Sequence, residues 1–478
     1  MDRLPTTLDE CHQLIRLLLT KWDEVAKRFE VLEAENRTLK SENTQLKERL
    51  NTNSSNSSLP PSKSFKKKKN RREASGKQSG GQPGHKGHYR QLLPSDKVDI
   101  VVSCALPSHC VCGGKINSED QGQFLRHQVY ELPVLKLTTS EYQLQKGRCE
   151  NCCCKHIAPL PEGISWGITG PRLTSFMSEL VAKYGLSRRE QRTFLEEHFQ
   201  FHISLGTVFN KQKPVNAAMQ APVSELLALV KESSSVNADE TGHNRDGKPH
   251  WLWGFISNKA AHFSIHPSRG KKVLRALMGD FKHILISDRY AAYGCFDSSQ
   301  RQLCWAHLKR DFTKLSEKDD KTIARLGKSL LDNESSLFKL WHRFKSEDLS
   351  RDELMRQSKP IRQRIGELLE QGTYTDPALK AARFCKNVLK HVNALWTFIE
   401  TEDVEPTNNH AERSLRPSVI WRKKYFCTRS DYGTDYVARS ASINVTCRLQ
   451  GKSSFTFLCE LIQNYFVGKQ TSALSLMT

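Results

Sequence analysis

Apolar residues recur every seven positions between residues 10 and 50. Leu18, Val25, Leu32, Leu39 and Leu46 form one row; Ile15, Trp22, Phe29, Asn36, Asn43 and Leu50 form a second, three positions before or four after it. This is the a/d seam of a coiled coil with leucine at d. Asparagines at a give up stability and fix register, usually of a parallel dimer. Residues 1–50 are therefore expected to pair chains rather than pack on their own domain. The pattern then stops. Residues 51–97 are rich in serine, glycine and proline and nearly free of apolar side chains. Between Lys63 and Arg90 they hold ten lysines and arginines against one glutamate, among them Lys66, Lys67, Lys68, Lys69, Arg71 and Arg72. Such a linker is disordered when free and orders on phosphates.

In residues 98–160 the runs VDIVV and VYELPVLKLTTSEYQLQ predict strands around two cysteine-bearing turns. Residues 171–231 read as helices. The order LSRREQRTFLEEHF, short turn, SLGTVFNKQK, with Ser204 as N-cap, resembles a helix-turn-helix, and a plain helical bundle fits the same segment. From residue 233, SSSVNADETG, HWLWGFIS and AHFSIHP predict three consecutive strands, KKVLRALMG a helix and HILISD a further strand. That succession fits a mixed α/β sheet flanked by helices. Residues 306–400 are almost wholly helical. After Pro406 a new helix is expected, capped by Asn408 or Thr407 and ended soon by Pro417; terminal helices follow, and residues 457–478 read as a tail.

Composition narrows the function. The chain has 478 residues, with 73 Lys and Arg against 52 Asp and Glu, a formal charge of +21. Such a surplus points to nucleic acid or another polyanion. No apolar run approaches the ~20 residues of a membrane span, and the opening MDRLPTTLDECHQ lacks the order of a secretory signal. Neither a membrane nor a secreted protein is expected. Of 14 cysteines, seven fall between Cys104 and Cys154. That clustering suggests metal binding in a reducing compartment. Cys110, Cys112, Cys149 and Cys152 are the expected zinc thiolates, on two turns. His109, Cys104, Cys153, Cys154 and His156 are alternatives, because the first turn is Cys-x-Cys and the second Cys-x-x-Cys.

Three carboxylates stand apart: Asp239 at the end of the first strand, Asp288 at the end of the fourth, and Glu412 in the first turn of a helix. Singly, such residues are usually turn or dipole residues. Together, at one sheet edge, they suit Mg²⁺ and two-ion phosphodiester chemistry. Arg413, Arg416, Arg422, Lys423, Lys424 and Arg429 follow, interleaved with Trp421, Tyr425 and Phe426. They read as phosphate contacts, with Arg416 one turn beyond Glu412.

GGQPGHKG after NSSNSSLPPSKS, then NADETG, SDRYAAY, CWAHLKRDF, and NNHAERSLRP followed by WRKKYF occur here in one order. Together they resemble the bacterial DDE transposases of the insertion-sequence sixty-six family, in their large catalytic subunit, from the zipper helix to near residue 456. The resemblance implies a ribonuclease H-like catalytic core over residues 233–456 with a helical insertion at 306–400. It matches Asp239, Asp288 and Glu412 to the family triad. It further implies Mg²⁺ or Mn²⁺, a zinc module at 98–160, and binding of double-stranded DNA at transposon ends and target. Small accessory proteins and a bacterial cytoplasmic, nucleoid-associated setting also follow from it, while pairing through the coiled coil is the expectation from the heptads. Cys304 and His307 of CWAH share a helix face and serve either as a metal pair or as a core cysteine beside a capping histidine. The sequence departs from the family pattern at the Cys-x-Cys turn and at His410, where a small or basic residue is common. Two other functions compete: a structure-selective nuclease on the same core, and a zinc-containing DNA-binding regulator with an inactive catalytic domain.

Overall fold

The computed structural model of the chain describes residues 7–53, 56–57, 81, 84–87, 90–116, 125–375 and 380–477. The basic cluster Lys66, Lys67, Lys68, Lys69, Arg71 and Arg72 lies outside the described residues. The chain divides into two compact units, residues 68–139 and the remainder.

In the larger unit, α1 (Leu8–Asn51) is a 44-residue rod. Thr7 opens it with a reciprocal capping box: its hydroxyl accepts the Glu10 N–H and the Glu10 carboxylate accepts the Thr7 N–H. No residue of α1 is buried, and the heptad side chains Ile15, Leu18, Trp22, Val25, Phe29, Leu32, Leu39 and Leu46 all face solvent. Near its end, Glu48 pairs with Lys318 and Lys380, and Asn56 donates to Glu317 at 2.6 Å.

In the smaller unit, residues 108–116 form a tight turn. The Cys110 N–H donates to Gly114 O (2.8 Å) and the Gly113 N–H to Cys110 O (2.9 Å), with Gly113 at φ +85°. The expected strands at 98–102 and 129–145 join no ladder among the described residues. Ile100, Val101 and Val102 are exposed; apolar runs that bury neither face gain nothing from pairing. Strands occur instead at β1 (Lys146–Arg148) and β2 (Lys155–Ile157), in the larger unit, an antiparallel hairpin closed by Cys149–Cys154.

Helices α2 (Pro171–Ala182), α3 (Arg188–Phe199), α4 (Leu205–Ala218) and α5 (Gln220–Lys231) follow. Met177, Leu195, Ile203 and Val208 form the core of the first three. Ser187 starts α3 with a capping box, Gln200 ends it in the left-handed region, and Ser204 caps α4 by accepting the Thr207 N–H at 3.1 Å.

The sheet comprises β3 (Ser235–Arg245), β4 (Lys248–Ile256), β5 (Ala261–His266), β6 (Ile284–Ser287) and β7 (Arg301–Leu303), in the order β5-β4-β3-β6-β7. The first three strands form an antiparallel meander; β6 runs parallel to β3, and β7 parallel to β6. Helix α6 (Lys271–Met278) supplies the crossover before β6. This mixed α/β order is in keeping with a ribonuclease H-like core. The short β7 has no counterpart among the expected strands. Alternation places Val236 and Ala238 against α5 and α6, with Trp253, Phe255, Leu274 and Leu285. The opposite face packs Leu252, Ile256 and Phe263 on Ala411, Leu415 and Val445 from later helices.

Helices α7 (Trp305–Ser316), α8 (Lys321–Lys345), α9 (Arg351–Thr373), α10 (Lys380–Leu389) and α11 (Thr397–Glu400) form the insertion. Its core, including Phe312, Leu330, Leu354 and Leu369, is continuous with Ile286 and Leu303 of the sheet. The chain then makes α12 (Asn409–Tyr425), α13 (Asp431–Leu449) and α14 (Ser454–Phe466). Pro417 does not end α12. It sits on the solvent side, where its missing N–H forfeits one bond, while Ala411 and Leu415 hold the helix on the sheet. Phe457, Leu461 and Ile462 of α14 are buried against Val215 and Met219, and Ala473 and Leu476 are buried as well, so this end of the chain packs into the core through those residues rather than trailing as a tail.

Candidate active site

Asp239 lies in the middle of β3, not at its end. β3 stays paired with β4 as far as Arg245, but its parallel ladder with β6 stops at the Asn237–Ile286 pair. The hydrogen-bonded edge between β3 and β6 therefore ends just before Asp239. Asp288 follows the last residue of β6 directly. Each aspartate is oriented by backbone: Asp239 Oδ1 accepts the Glu240 N–H at 2.9 Å and Asp288 Oδ1 accepts the Tyr290 N–H at 2.8 Å. Buried Arg301, on β7, donates to the Asp288 carbonyl (3.1 Å) and the Ser287 hydroxyl (3.3 Å), fixing the end of β6.

Glu412 comes from the first turn of α12. Asn408 occupies the N-cap position, but its side chain does not cap the helix. It crosses to β3 instead: its amide N–H donates to Ala238 O at 2.7 Å and its Oδ1 accepts the Asn237 amide at 3.1 Å. Its backbone N–H donates to Cys304 Sγ at 3.1 Å, and the Trp305 N–H donates to Pro406 O at 2.9 Å. β3 and the starts of α7 and α12 are thus tied at one point.

Burial lifts the Asp239 carboxyl well above the ordinary carboxylate range, and the negative charges of Glu240, Asp288 and Glu412 lift it further. The three expected carboxylates therefore share one electrostatic neighbourhood. Glu240, which the sequence did not single out, points to the other face of the sheet. Arg269 holds it at 2.6–2.8 Å, and the Tyr293 hydroxyl donates to it. Its own carboxyl is raised, first by burial. A carboxylate next to Asp239 on a strand must face the opposite layer; nothing local in the sequence marks Arg269 as its partner.

Among the described residues, the metal-type ligands that converge within 4.8 Å of one another are Cys304, His307 and Glu412, not the two aspartates with Glu412. Glu412 Oε1 and His307 Nδ1 are both buried without a hydrogen-bond partner and stand 3.8 Å apart. Arg310 lies 3.7 Å from Glu412 Oε2. The cluster able to hold a metal ion among the described residues is therefore Cys304, His307 and Glu412, and the orphaned Glu412 oxygen faces into it.

The basic residues of α12 divide into two sets. Arg413, Arg416 and Lys423 are exposed, and with Ile420 their spacing of three and four puts them on one solvent face. Arg422 turns inward to the Thr241 hydroxyl at 3.2 Å, while the Trp421 ring lies parallel to His243 with centroids 6.5 Å apart. Lys424 is exposed but engaged, 3.3 Å from Glu190 and 3.0 Å from Gly185 O, and the Tyr425 hydroxyl contacts the same two residues. This contact joins α12 to the α2–α3 junction beside a cavity of about 890 Å³ lined by Arg188, Arg189, Phe209, Trp421 and Arg429.

The two cysteine turns each favour thiolates. The Cys112 backbone lowers the Cys110 thiol, and the Cys154 backbone lowers that of Cys152. Cys153, at φ +59°, makes the second turn. The side chains of Cys154 and Cys149, both free thiols, hydrogen-bond with Cys152.

No helix among the described residues is long and apolar enough to cross a membrane. A model described as a family of unknown function (DUF6444) matches residues 3–91. The chain is 25% identical over 336 residues to the Uncharacterized protein y4qI of Sinorhizobium fredii (strain NBRC 101917 / NGR234), covering 63% of this chain and 60% of that one. It is 23% identical over 273 residues to the Uncharacterized protein y4jD of the same strain, 52% and 53% of the two chains. It is 22% identical over 414 residues to that strain's Uncharacterized protein y4hP, 78% and 73% of the two. The matched stretches thus span less than two thirds of the length of the first two relatives. The model described as the Transposase IS66 family matches residues 167–436, from α2 through the sheet and the insertion to α13. That match takes in more than half of the chain, which belongs to the Transposase IS66 family.

Proposed function

We propose that the protein is a DNA transposase that binds the terminal inverted repeats of its element, cleaves to free 3′-hydroxyls and joins them to target DNA. The observation that carries this reading is Asp239 where β3 and β6 part, its carboxyl raised by burial and then by the charges of Glu240, Asp288 and Glu412. These carboxylates would hold Mg²⁺ or Mn²⁺. Such ions, when bound, activate the attacking oxygen and stabilise the leaving one at a phosphodiester. The chain's own residues set the geometry. Asn408 ties Glu412's helix to the strand of Asp239, and Arg301 fixes the strand end that presents Asp288. The exposed stripe of Arg413, Arg416 and Lys423 would track DNA phosphates leading away from the site. α3 and α4 would supply the helix-turn-helix, and the linker lysines and arginines a phosphate-ordered arm.

The thiols of the Cys110–Cys112 and Cys149–Cys152 turns would serve as zinc ligands. The exposed apolar seam of α1 would pair two chains, each bringing one DNA end. Small accessory proteins are compatible partners. The test uses labelled DNA from the flanks of the protein's own gene with Mg²⁺ or Mn²⁺. Nicks at the ends together with joined products, both lost in Asp288→Ala, are expected. Cleavage of branched DNA without joining would make the protein a structure-selective nuclease. Metal-independent binding alone would make it a regulator.

A further inference from the structure

Glu412 stands between two different kinds of ligand. On one side are the aspartate oxygens whose charge it shares. On the other are the Cys304 sulfur and the His307 imidazole, all three within 4.8 Å. We propose that Cys304, His307 and Glu412 form a second metal site, for a borderline-soft cation of the zinc class, that competes with the acidic pair for Glu412.

Geometry and donor chemistry agree on this. His307 Nδ1 and Glu412 Oε1 are buried, face one another at 3.8 Å and have no hydrogen-bond partner. That distance is too long for a hydrogen bond. It is close to the separation of two ligands on one tetrahedral ion, about 3.3–3.6 Å for zinc bond lengths. Thiolate, imidazole and carboxylate suit zinc; Mg²⁺ prefers six oxygens and leaves sulfur aside. The Asn408 N–H on Cys304 Sγ is the outer contact that orients a ligating sulfur. Three protein ligands leave a fourth position open, the arrangement of an exchangeable rather than a purely structural ion.

Arg310 opposes the ion. It lies 3.5 Å from His307 Nε2 and 3.7 Å from Glu412 Oε2. Ligation through Nδ1 puts the ring proton on Nε2, facing that guanidinium. Arg310 therefore weakens the site, and its removal strengthens it. A cation held here engages Glu412 and withdraws it from the aspartates, so zinc inhibits any reaction that needs all three carboxylates. This consequence rests on the transposase reading; the binding itself does not.

Cobalt(II) is the probe, titrated into the full-length protein and followed by its thiolate charge-transfer and visible bands. The cysteine turns also bind cobalt, so the readout is the difference between variants. Cys304→Ser and His307→Gln are expected each to lose one equivalent and its part of the spectrum, with unchanged near-ultraviolet circular dichroism. Arg310→Gln is expected to tighten that equivalent several-fold. Asp239→Asn is expected to keep it, which separates this site from the acidic pair. Identical stoichiometry and spectra for wild type and both ligand variants would overturn the proposal, whatever the DNA assays give. If cobalt binds as expected but zinc leaves metal-dependent cleavage unaffected, the competition for Glu412 fails and the site alone stands.

Discussion

The side-chain amide of Asn408 donates to the carbonyl of Ala238 at 2.7 Å, the residue immediately before Asp239. The separation of Asp239 and Glu412 is set through this bond, because Asn408 begins the helix that carries Glu412. Asn408→Ala removes the side-chain donor to the Ala238 carbonyl and leaves the Asn237 amide only its 3.5 Å bond to Thr407 O, and is expected to cost about 2 kcal/mol in urea unfolding. Metal-dependent cleavage should fall further than that loss of folded protein accounts for. Equal losses in both measurements would reduce Asn408 to a packing residue.

Asp239 is held against its own charge. Its folded carboxyl titrates above the unfolded value, so the stability it permits is intact at acid pH and is lost as pH rises through the raised value. Asp239→Asn is therefore expected to raise the melting temperature in EDTA at pH 8, with the gain shrinking toward pH 4. A destabilised Asn variant at pH 8 would show that the carboxylate is compensated by something other than a cation.

His243 works in the opposite sense. Burial, the Arg422 charge and His250 hold it down to about 4, and burial first holds His262 to about 4 as well. Both remain neutral in the folded chain above that value. The stability they contribute is present above the unfolded pKa near 6.5 and is lost as pH falls from there toward 4. Denaturation midpoints measured at pH 7 and pH 5 should converge in His243→Gln relative to wild type.

Glu240 and Arg269 form a lopsided pair, the carboxylate buried and the guanidinium at the surface. Arg269→Ala strands the carboxylate next to Asp239 and is expected to cost about 3 kcal/mol. Glu240→Gln in the Arg269→Ala background should recover much of it, because the stranded charge is what costs. A double-mutant cycle in chemical denaturation reads this directly.

The heptad rows of α1 are exposed along the whole helix. Leu32→Glu places a charge at a d position, and is expected to halve the mass of the full-length protein in sedimentation equilibrium. An unchanged mass would place the subunit contact elsewhere.

The meander, the crossover helix and β6 were legible because each strand alternates or runs apolar between clear breakers, as in HWLWGFIS and HILISD. The three carboxylates stand out through their setting and the words around them, and the charges of Asp288 and Glu412 act on Asp239. The differences all depend on distant partners. Local pattern puts Asp239 at a strand end, because it cannot show that β3 outlasts its ladder with β6. It offers Asn408 or Thr407 as a cap, and the bond that turns Asn408 to Ala238 spans 170 positions. It makes Pro417 a stop, and the burial that carries α12 past it comes from the sheet. It groups Arg422 with the exposed basic residues, whereas in the fold Arg422 donates to Thr241.

Glu48, near the end of α1, is paired with Lys318, just beyond the last turn of α7. The other end of α7 carries His307 and Arg310 beside Glu412. α7 has 12 residues, a strut about 18 Å long, and α1 is a lever about 66 Å long over its 44 residues. One short helix thus stands between the foot of the long rod and the surroundings of Glu412, so a change at Lys318 has a continuous path to His307 and Arg310. Were α1 to pair two chains as proposed, α7 is among the first elements of the body that the pairing would load.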